Sequence, residues 1–295
     1  MIFQPLTLES QPIFRALERD FPLATSDANF TNVLIWNDYY HIVWTEAFGC
    51  LCLLAHPEGG EGAQPPFAFP PLGGGDKVKA SEFLFSQMDK PLMARAPEAM
   101  TQFLAERRPT WKIVPDSDND DYVYLAESLI TLSGRRMHQK KNHYNYFVNN
   151  YQPEYVDVTE AIIPELMALE DLWLTAKTDK LGFHTHLSVE RRATRTLLTN
   201  LTVLGLSGLA IRLNGQVEAF TIGERLNPDT AVIHAEKGNP EIRGIYVALC
   251  SEYCRRRFSE LTYINREQDL GLPGLRFSKE SLKPHHMAKK YLITP

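Results

Sequence analysis

Cysteine is scarce in this chain: four residues in 295, at Cys50, Cys52, Cys250 and Cys254. That is too few for the disulfide framework of a small secreted domain. Long apolar runs are missing as well. The most apolar stretch, Leu201 to Ile211, is about half of what a bilayer needs, and Gly205, Ser207 and Gly208 interrupt it. There is no excess of positive charge: 31 Lys and Arg face 36 Asp and Glu, a net charge of −5. This excludes a general nucleic-acid coat protein and leaves room only for a local basic face. The first residues, MIFQPLTLES, have neither a basic start nor an apolar core, so no signal peptide is expected. No P-loop, dinucleotide fingerprint or nucleophile motif occurs. These gaps predict a soluble, reduced, cytoplasmic protein.

Metal-ligand spacing is weak throughout. Cys50-x-Cys52 on a strand turns both thiols to one face, and the Cys250/Cys254 spacing puts both on one helix side. No histidine completes a zinc site, and His184-x-His186 and His285-His286 are no stronger. Buried free thiols and no metal are expected.

What is present fits an ordinary globular chain: 44% hydrophobic and 23% charged residues. The length suits one large domain or two ordinary ones. In the first half, Ser10 to Asp20 reads as a helix with Ile13, Leu17 and Phe21 on one face. Strands follow at His41–Trp44, Cys50–Leu54 and Phe67–Phe69, helices at Asp76–Met88 and Pro97–Arg107, then strands at Trp111–Val114 and Tyr122–Leu125. Pro57 to Pro66 reads as an exposed loop.

The second half is clearer. Tyr155–Val158 is a strand. Ile162–Lys177 is a helix with Leu166, Leu169 and Trp173 facing inward, and Arg191–Leu201 is another. Gly208–Leu213 and Gln216–Arg225 flank Asn214-Gly215, a strong hairpin signal because both residues tolerate positive φ. Thr230–Glu236 is a third strand, Ile242–Phe258 a helix, Leu261–Ile264 a strand, and Tyr291–Ile293 closes the chain. An antiparallel meander followed by a strand–helix–strand crossover predicts an α+β fold with a mixed, mostly antiparallel sheet flanked by helices. That order resembles the GNAT acyltransferase fold. The first half has a similar, vaguer layout, which suggests two tandem GNAT-like domains: 1–130, a basic-aromatic linker helix at 131–151, and 152–295.

Particular stretches narrow the resemblance. Gly134-Arg-Arg-Met-His-Gln-Lys-Lys-Asn-His-Tyr-Asn-Tyr-Phe147, Ile233-His-Ala-Glu-Lys-Gly-Asn239 and Asn265-Arg-Glu-Gln-Asp-Leu-Gly271 lead it. With Leu275-Arg276, Lys279 and Lys283-Pro284, they resemble the domain family typified by the C-terminal part of phosphatidylglycerol lysyltransferase. Phe30-Thr-Asn32, Trp36-Asn-Asp-Tyr-Tyr40 and Phe69-Pro-Pro-Leu72 extend the likeness to the first half. The resemblance implies transfer of an aminoacyl group from aminoacyl-tRNA to an amine or hydroxyl, as Fem peptidyltransferases do, without a required cofactor. The acceptor would be a small molecule, a peptide or a lipid. An acyl-CoA-dependent N-acyltransferase and a non-catalytic binding module are the competing readings.

In the GNAT fold the loop into the helix after the third meander strand holds the donor pyrophosphate. The aligned residues are Glu241, Gly244 and Tyr246, where an acid and a bulky ring replace the usual Gln/Arg and small residue. This argues against acetyl-CoA in its ordinary pose; Arg243 is the nearby phosphate candidate. His234 and Glu236, two apart on a strand, share a face, and one is a candidate general base. The competing view is an ordinary sheet pair, with Lys237 beside Glu236. Asn265 to Asp269 follows a strand's carboxyl end, where ligands collect, so Asn265, Glu267 and Asp269 are candidates to touch substrate, and Glu267 and Asp269 are candidate bases alongside Glu236. An Asx turn held by Asp269 is the plainer reading. Arg276, Lys279 and Lys283 form a basic run suited to a phosphate-bearing donor, or a solvated face. Arg255-Arg256-Arg257 suits a helix C-terminus. Arg135, Arg136, Lys140 and Lys141, interleaved with Tyr144 and Tyr146, are the nucleic-acid candidates.

Overall fold

In a computed structural model the described residues are 2–59, 64–181 and 185–295, without the side chains of 173–187. Trp173, His184, His186 and the tip of the 57–66 loop therefore lie outside the described parts. The chain runs β1 (Gln4–Pro5), α1 (Gln11–Asp20), α2 (Phe30–Ile35), α3 (Asn37–Tyr40), β2 (Val43–Ala47), β3 (Cys50–Ala55), β4 (Phe67–Ala68), α4 (Lys77–Ser86), β5 (Met93–Pro97), α5 (Glu98–Arg107) and β6 (Lys112–Pro115). It continues with β7 (Asp121–Leu125), α6 (Ala126–Thr131), α7 (His138–Asn150), β8 (Glu154–Asp157), α8 (Ile163–Leu181), α9 (Thr185–Thr199), β9 (Ser207–Leu213), β10 (Gln216–Arg225) and β11 (Thr230–Gly238). Last come α10 (Ile245–Arg257), β12 (Tyr263–Asn265), α11 (Pro273–Glu280), β13 (His286–Ala288) and β14 (Lys290–Thr294).

These elements make two compact units, Met1–Asp121 with Gln268–Gly271 and Met287–Pro295, and Tyr122–Glu267 with Leu272–His286. Each carries one mixed, seven-stranded sheet, in the orders β1-β2-β3-β4-β5-β14-β6 and β13-β7-β12-β11-β10-β9-β8. The α+β reading holds for both. The last strand differs from its linear placement: β14 pairs with β5 and β6 in the first sheet, not with the second half. Tyr122–Leu125 likewise belongs to the second sheet, antiparallel to β12.

In the first unit, Phe14, not Ile13 or Phe21, is the buried face of α1. Its ring meets Phe30 at 5.2 Å and Trp44 at 6.2 Å, and this contact sets the helix phase. Apolar periodicity alone misses α2 and β5. The first is short and buries the polar Thr31 and Asn32, and the second reads Met-Ala-Arg-Ala-Pro with Arg95 at φ +64°. Lys290 is fully buried on β14, its ammonium paired with Asp27 and, at 2.6 Å, with Asp121. Asp121 also accepts the Ser26 N–H at 2.8 Å.

In the second unit, β8 to β11 form the antiparallel meander and β12 joins β11 in parallel. Asn214 and Gly215 turn the hairpin with φ of +51° and +82°. The core is built from Leu166, Leu197, Ile211, Phe220, Ile222, Leu249, Tyr253 and Ile264, all buried. Helix α10 starts three residues later than the periodicity predicts, because Gly244 caps it at φ +89°. The stretch after β12, irregular by pattern, holds α11.

Candidate active site

The geometry begins where two parallel strands part. The β11–β12 ladder ends at Val232 opposite Asn265, while β11 runs on to Gly238. Just past that point β11 carries a bulge: Ile222 faces Ala235 and Gly223 faces Ile233, so His234 has no partner in the register. Bulges re-aim side chains. Here the imidazole lies wholly buried between two carboxylates, with Nε2 3.1 Å from Glu224 Oε1 and Nδ1 3.0 Å from Glu267 Oε1. Burial opposes the charged ring, but the bonds to Glu224 and Glu267 outweigh it and raise its pKa to about 9. At neutral pH the imidazolium donates from both nitrogens, which leaves it no lone pair to act as a base.

The chain beyond β12 is fixed in place. Glu267 sits at φ +55°, and its N–H donates to Asn265 Oδ1 at 2.7 Å. The buried Lys279 ammonium donates to the carbonyl oxygens of Arg266 and Glu267, at 2.5 and 3.0 Å. Tyr124 Oη donates to the Lys279 carbonyl at 2.9 Å.

Glu236 follows beyond the bulge, so the simple alternation that would pair it with His234 on one face is broken. Its Oε1 takes the Arg266 guanidinium at 2.6 Å, while its buried Oε2 makes no hydrogen bond among the described residues. Burial raises the Glu236 pKa above the ordinary carboxylate range, with Arg266 and then Lys279 opposing. Glu236 lines a cavity of about 70 Å³ together with Arg266, Lys140, Tyr246, Ser251, Ser278 and apolar side chains that include Leu129, Val247 and Leu282. Burial, then Arg266 and Lys283, lowers the Lys140 pKa. A buried carboxylate with an open oxygen, beside two cations and a space, can take a proton from one group while developing negative charge is stabilised on another.

The other expected site residues have separate surroundings. Lys237 does not pair with Glu236: strand alternation sends it to the opposite face, to Glu190 and, at 3.6 Å, Glu170 of α8. Asp269 belongs to the first unit, where its Oδ1 accepts the Gly271 N–H at 2.8 Å in an Asx turn. Lys279 is spent on backbone carbonyls and offers no solvated charge, whereas Lys283 is exposed and Arg276 half-buried. Arg243 stacks on Tyr146, 4.5 Å from its centroid. The Tyr246 hydroxyl bonds both the N–H and the carbonyl of Gly238, at 3.1 and 2.8 Å. Gly244 packs against α7, where a Cβ would lie 2.3 Å from the His143 carbonyl oxygen. Arg135 and Arg136 are exposed, Lys141 donates to the Thr131 carbonyl at 3.2 Å, and Lys140 turns to the cavity. Arg255 and Arg256 pair with Glu252 and Arg257 with Asp157. All four cysteines are buried free thiols.

A family profile described as phosphatidylglycerol lysyltransferase, C-terminal, matches residues 18–294. The chain belongs to this family. A conserved protein of unknown function from Bacteroides thetaiotaomicron is 30% identical and superposes with a TM-score of 0.91, with 99% of each chain covered. The structure of L-PGS from Bacillus licheniformis shares the fold at a TM-score of 0.64 and 15% identity, over 96% of this chain and 90% of that one. An uncharacterised protein of Mycoplasmoides gallisepticum is 26% identical over 186 residues, which are 62% of this chain and 58% of that relative. The chain thus spans little more than half of that curated relative's length. The fold is also shared with FemX, at a TM-score of 0.60 and 8% identity, over 99% of this chain and 97% of that one.

Two residues of this candidate site escape a linear reading. Glu224 closes β10 beside Arg225 and looks like a solvated strand end, yet it continues the parity of the buried Phe220 and Ile222. Arg266 lies inside a polar run and gives no sign that it answers Glu236 thirty positions earlier. Among the described residues, no helix is long and apolar enough to cross a membrane, and no cluster of His, Cys, Asp and Glu has the makings of a metal site.

Proposed function

We propose that this protein transfers an aminoacyl group from aminoacyl-tRNA to an amine or hydroxyl acceptor by direct attack, with Glu236 as general base. The observation that carries the reading is the buried Glu236 Oε2, unpartnered beside the cavity that Lys140 and Arg266 also line. The acceptor's N–H or O–H gives its proton to Oε2 as its heteroatom attacks the ester carbonyl. Lys140 and Arg266 stabilise the negative charge that develops on the carbonyl oxygen. The new C–N or C–O bond forms, the ester C–O bond breaks, and the terminal ribose oxygen of the tRNA leaves as a hydroxyl with the proton that Glu236 Oε2 gives up, which restores the carboxylate. No covalent enzyme intermediate is required.

Family membership supports aminoacyl transfer as the chemistry. Arg135 and Arg136, exposed ahead of α7, are the proposed contacts for the donor's phosphates. Lysyl transfer to a lipid is the activity the family description names; the acceptor here is drawn from amines and hydroxyls of a small molecule, peptide or lipid. Acyl-CoA is the less supported donor, because the Tyr246 hydroxyl ties down the end of β11 where a pyrophosphate loop needs room.

The test presents the full chain with tRNA charged with a mixture of labelled amino acids, plus polyamines, peptidoglycan precursors and anionic lipids as acceptors. Label should move into one acceptor class. Glu236→Gln should slow that transfer by about a hundredfold or more, the usual worth of a positioned base, with the fold intact. Undiminished transfer by Glu236→Gln removes Glu236 from the role. Label that reaches no acceptor from any charged tRNA overturns the aminoacyl reading.

A further inference from the structure

We propose that His234 and Glu267 are positioning residues of this site: joined as an ion pair, they button the end of β12 to β11 and so set Arg266 on Oε1 of Glu236, which leaves Oε2 open. The inference rests on the reading of Glu236 as the base.

The backbone does not make this join. β11 and β12 pair from Thr230 and Tyr263 to Val232 and Asn265, and β11 then runs on to Gly238 without its neighbour. Past Asn265 the chain turns to β7 instead. The Arg266 N–H donates to the Tyr122 carbonyl at 2.9 Å, and the Tyr122 N–H to the Glu267 carbonyl at 3.1 Å. Two side-chain ion pairs cross the gap to β11. They start from adjacent residues, Arg266 to Glu236 at 2.6 Å and Glu267 to His234 at 3.0 Å.

Adjacent residues of a regular strand point to opposite faces. Glu267 escapes that rule with a φ of +55°, and His234 with the bulge in β11. A left-handed glutamate is strained and lasts only where its contacts over-determine it. Here Lys279, Asn265 and Tyr122 fix its backbone, and His234 holds its side chain. The charged ring donates to Glu224 and Glu267 together, whereas a neutral ring would donate to one only. Glu267 thus gives its Oε1 to the ring, and it does not line the cavity that Glu236 lines.

The titratable groups around Glu236 are Arg266, Lys279 on α11, Lys140 on α7, Tyr124 on β7, and Tyr246, Cys250 and Cys254 on α10. Of these, Arg266 is the ion-pair partner, so its placement governs how readily Glu236 holds a proton.

The first test needs neither donor nor acceptor. The full chain is labelled with glutamate carrying carbon-13 at the side-chain carboxyl and titrated by NMR. The Glu236 signal is the one missing from Glu236→Gln. Glu267→Ala removes the button and frees Arg266, so the Glu236 midpoint should rise by at least about one pH unit, the usual effect of one adjacent cation lost. Glu267→Gln keeps a neutral acceptor for the ring and should restore most of the wild-type midpoint. His234→Gln removes the charged ring and should also raise the midpoint, and it carries the test if Glu267→Ala does not fold. A midpoint unmoved in whichever of these two variants folds overturns the proposal.

The second test is transfer from charged tRNA. Glu267→Gln should lose less than about tenfold in kcat, with KM held, while in Glu267→Ala the acid limb of the kcat profile should move up with the midpoint. A hundredfold loss in Glu267→Gln, the size expected of a base, would make Glu267 the base and overturn the proposal. Absence of transfer by the wild type overturns the aminoacyl reading alone, and the button then stands or falls on the titration.

Discussion

His234 is held protonated by the two carboxylates that face its buried ring, and this makes a pH signature. Its pKa is about 9 in the folded chain, raised from 6.5. A raised histidine stabilises the fold fully below its unfolded pKa and loses that contribution as pH climbs through its folded value. The window therefore runs from about pH 6.5 to 9, and the contribution is on the order of 3 kcal/mol. Chemical denaturation of wild type and His234→Gln at pH 6 and pH 9.5 measures it. The stability difference between the two proteins should shrink by most of that amount at the higher pH. A difference that stays constant across the window means the ring is neutral in the folded chain. The sequence brings His234 and Glu236 forward as a pair on one face, but it does not separate their roles. Only Glu224 and Glu267 on either side of the ring, and Arg266 on one oxygen of Glu236, divide them into a charged strut and an open carboxylate.

Elements follow from local pattern where period and turn chemistry agree, as in β10, whose bounds the Asn214-Gly215 turn and the alternation both mark. They escape it where tertiary contact decides. Helix α11 is amphipathic but begins Pro-Gly, and its Lys279 looks solvated until the carbonyls of Arg266 and Glu267 claim it. Gly244 is the sharper case. It matches a small residue of a phosphate-binding loop, yet its neighbour in space is the backbone of α7, 2.3 Å from where a Cβ would stand. Both Gly244 and Gly215 have positive φ, +89° and +82°, but the space around a Gly215 Cβ is open. Gly215→Ala should thus cost only the left-handed strain, about 1 kcal/mol. Gly244→Ala adds a backbone clash and should cost at least about 2 kcal/mol more. Thermal unfolding of the two variants compares them, and equal losses would mean that α7 yields freely to the added methyl.

At the scale of the whole molecule, chain order and sheet order disagree, and the disagreement has consequences for folding. Apolar alternation identifies Tyr291–Ile293 as a strand, but alternation carries no information about partners. In the folded chain that strand lies between β5 and β6, an interior position of the first sheet, with Ile293 buried among Met93, Met100 and Leu104. It also delivers Lys290 to two buried carboxylates, Asp121 and Asp27, the second of which also has Arg95 at 3.7 Å. Leaving buried charges uncompensated costs about 3–5 kcal/mol, a large fraction of the stability of a domain. A fragment ending at residue 121 lacks the strand, the cation and the apolar filling together. It should show no cooperative unfolding transition, and its β5 edge should drive aggregation. Adding a peptide of residues 286–295 should restore a cooperative transition, and the same peptide carrying Lys290→Met should restore a weaker one. A fragment that melts cooperatively alone, with no response to the peptide, would mean that the first sheet closes without its seventh strand.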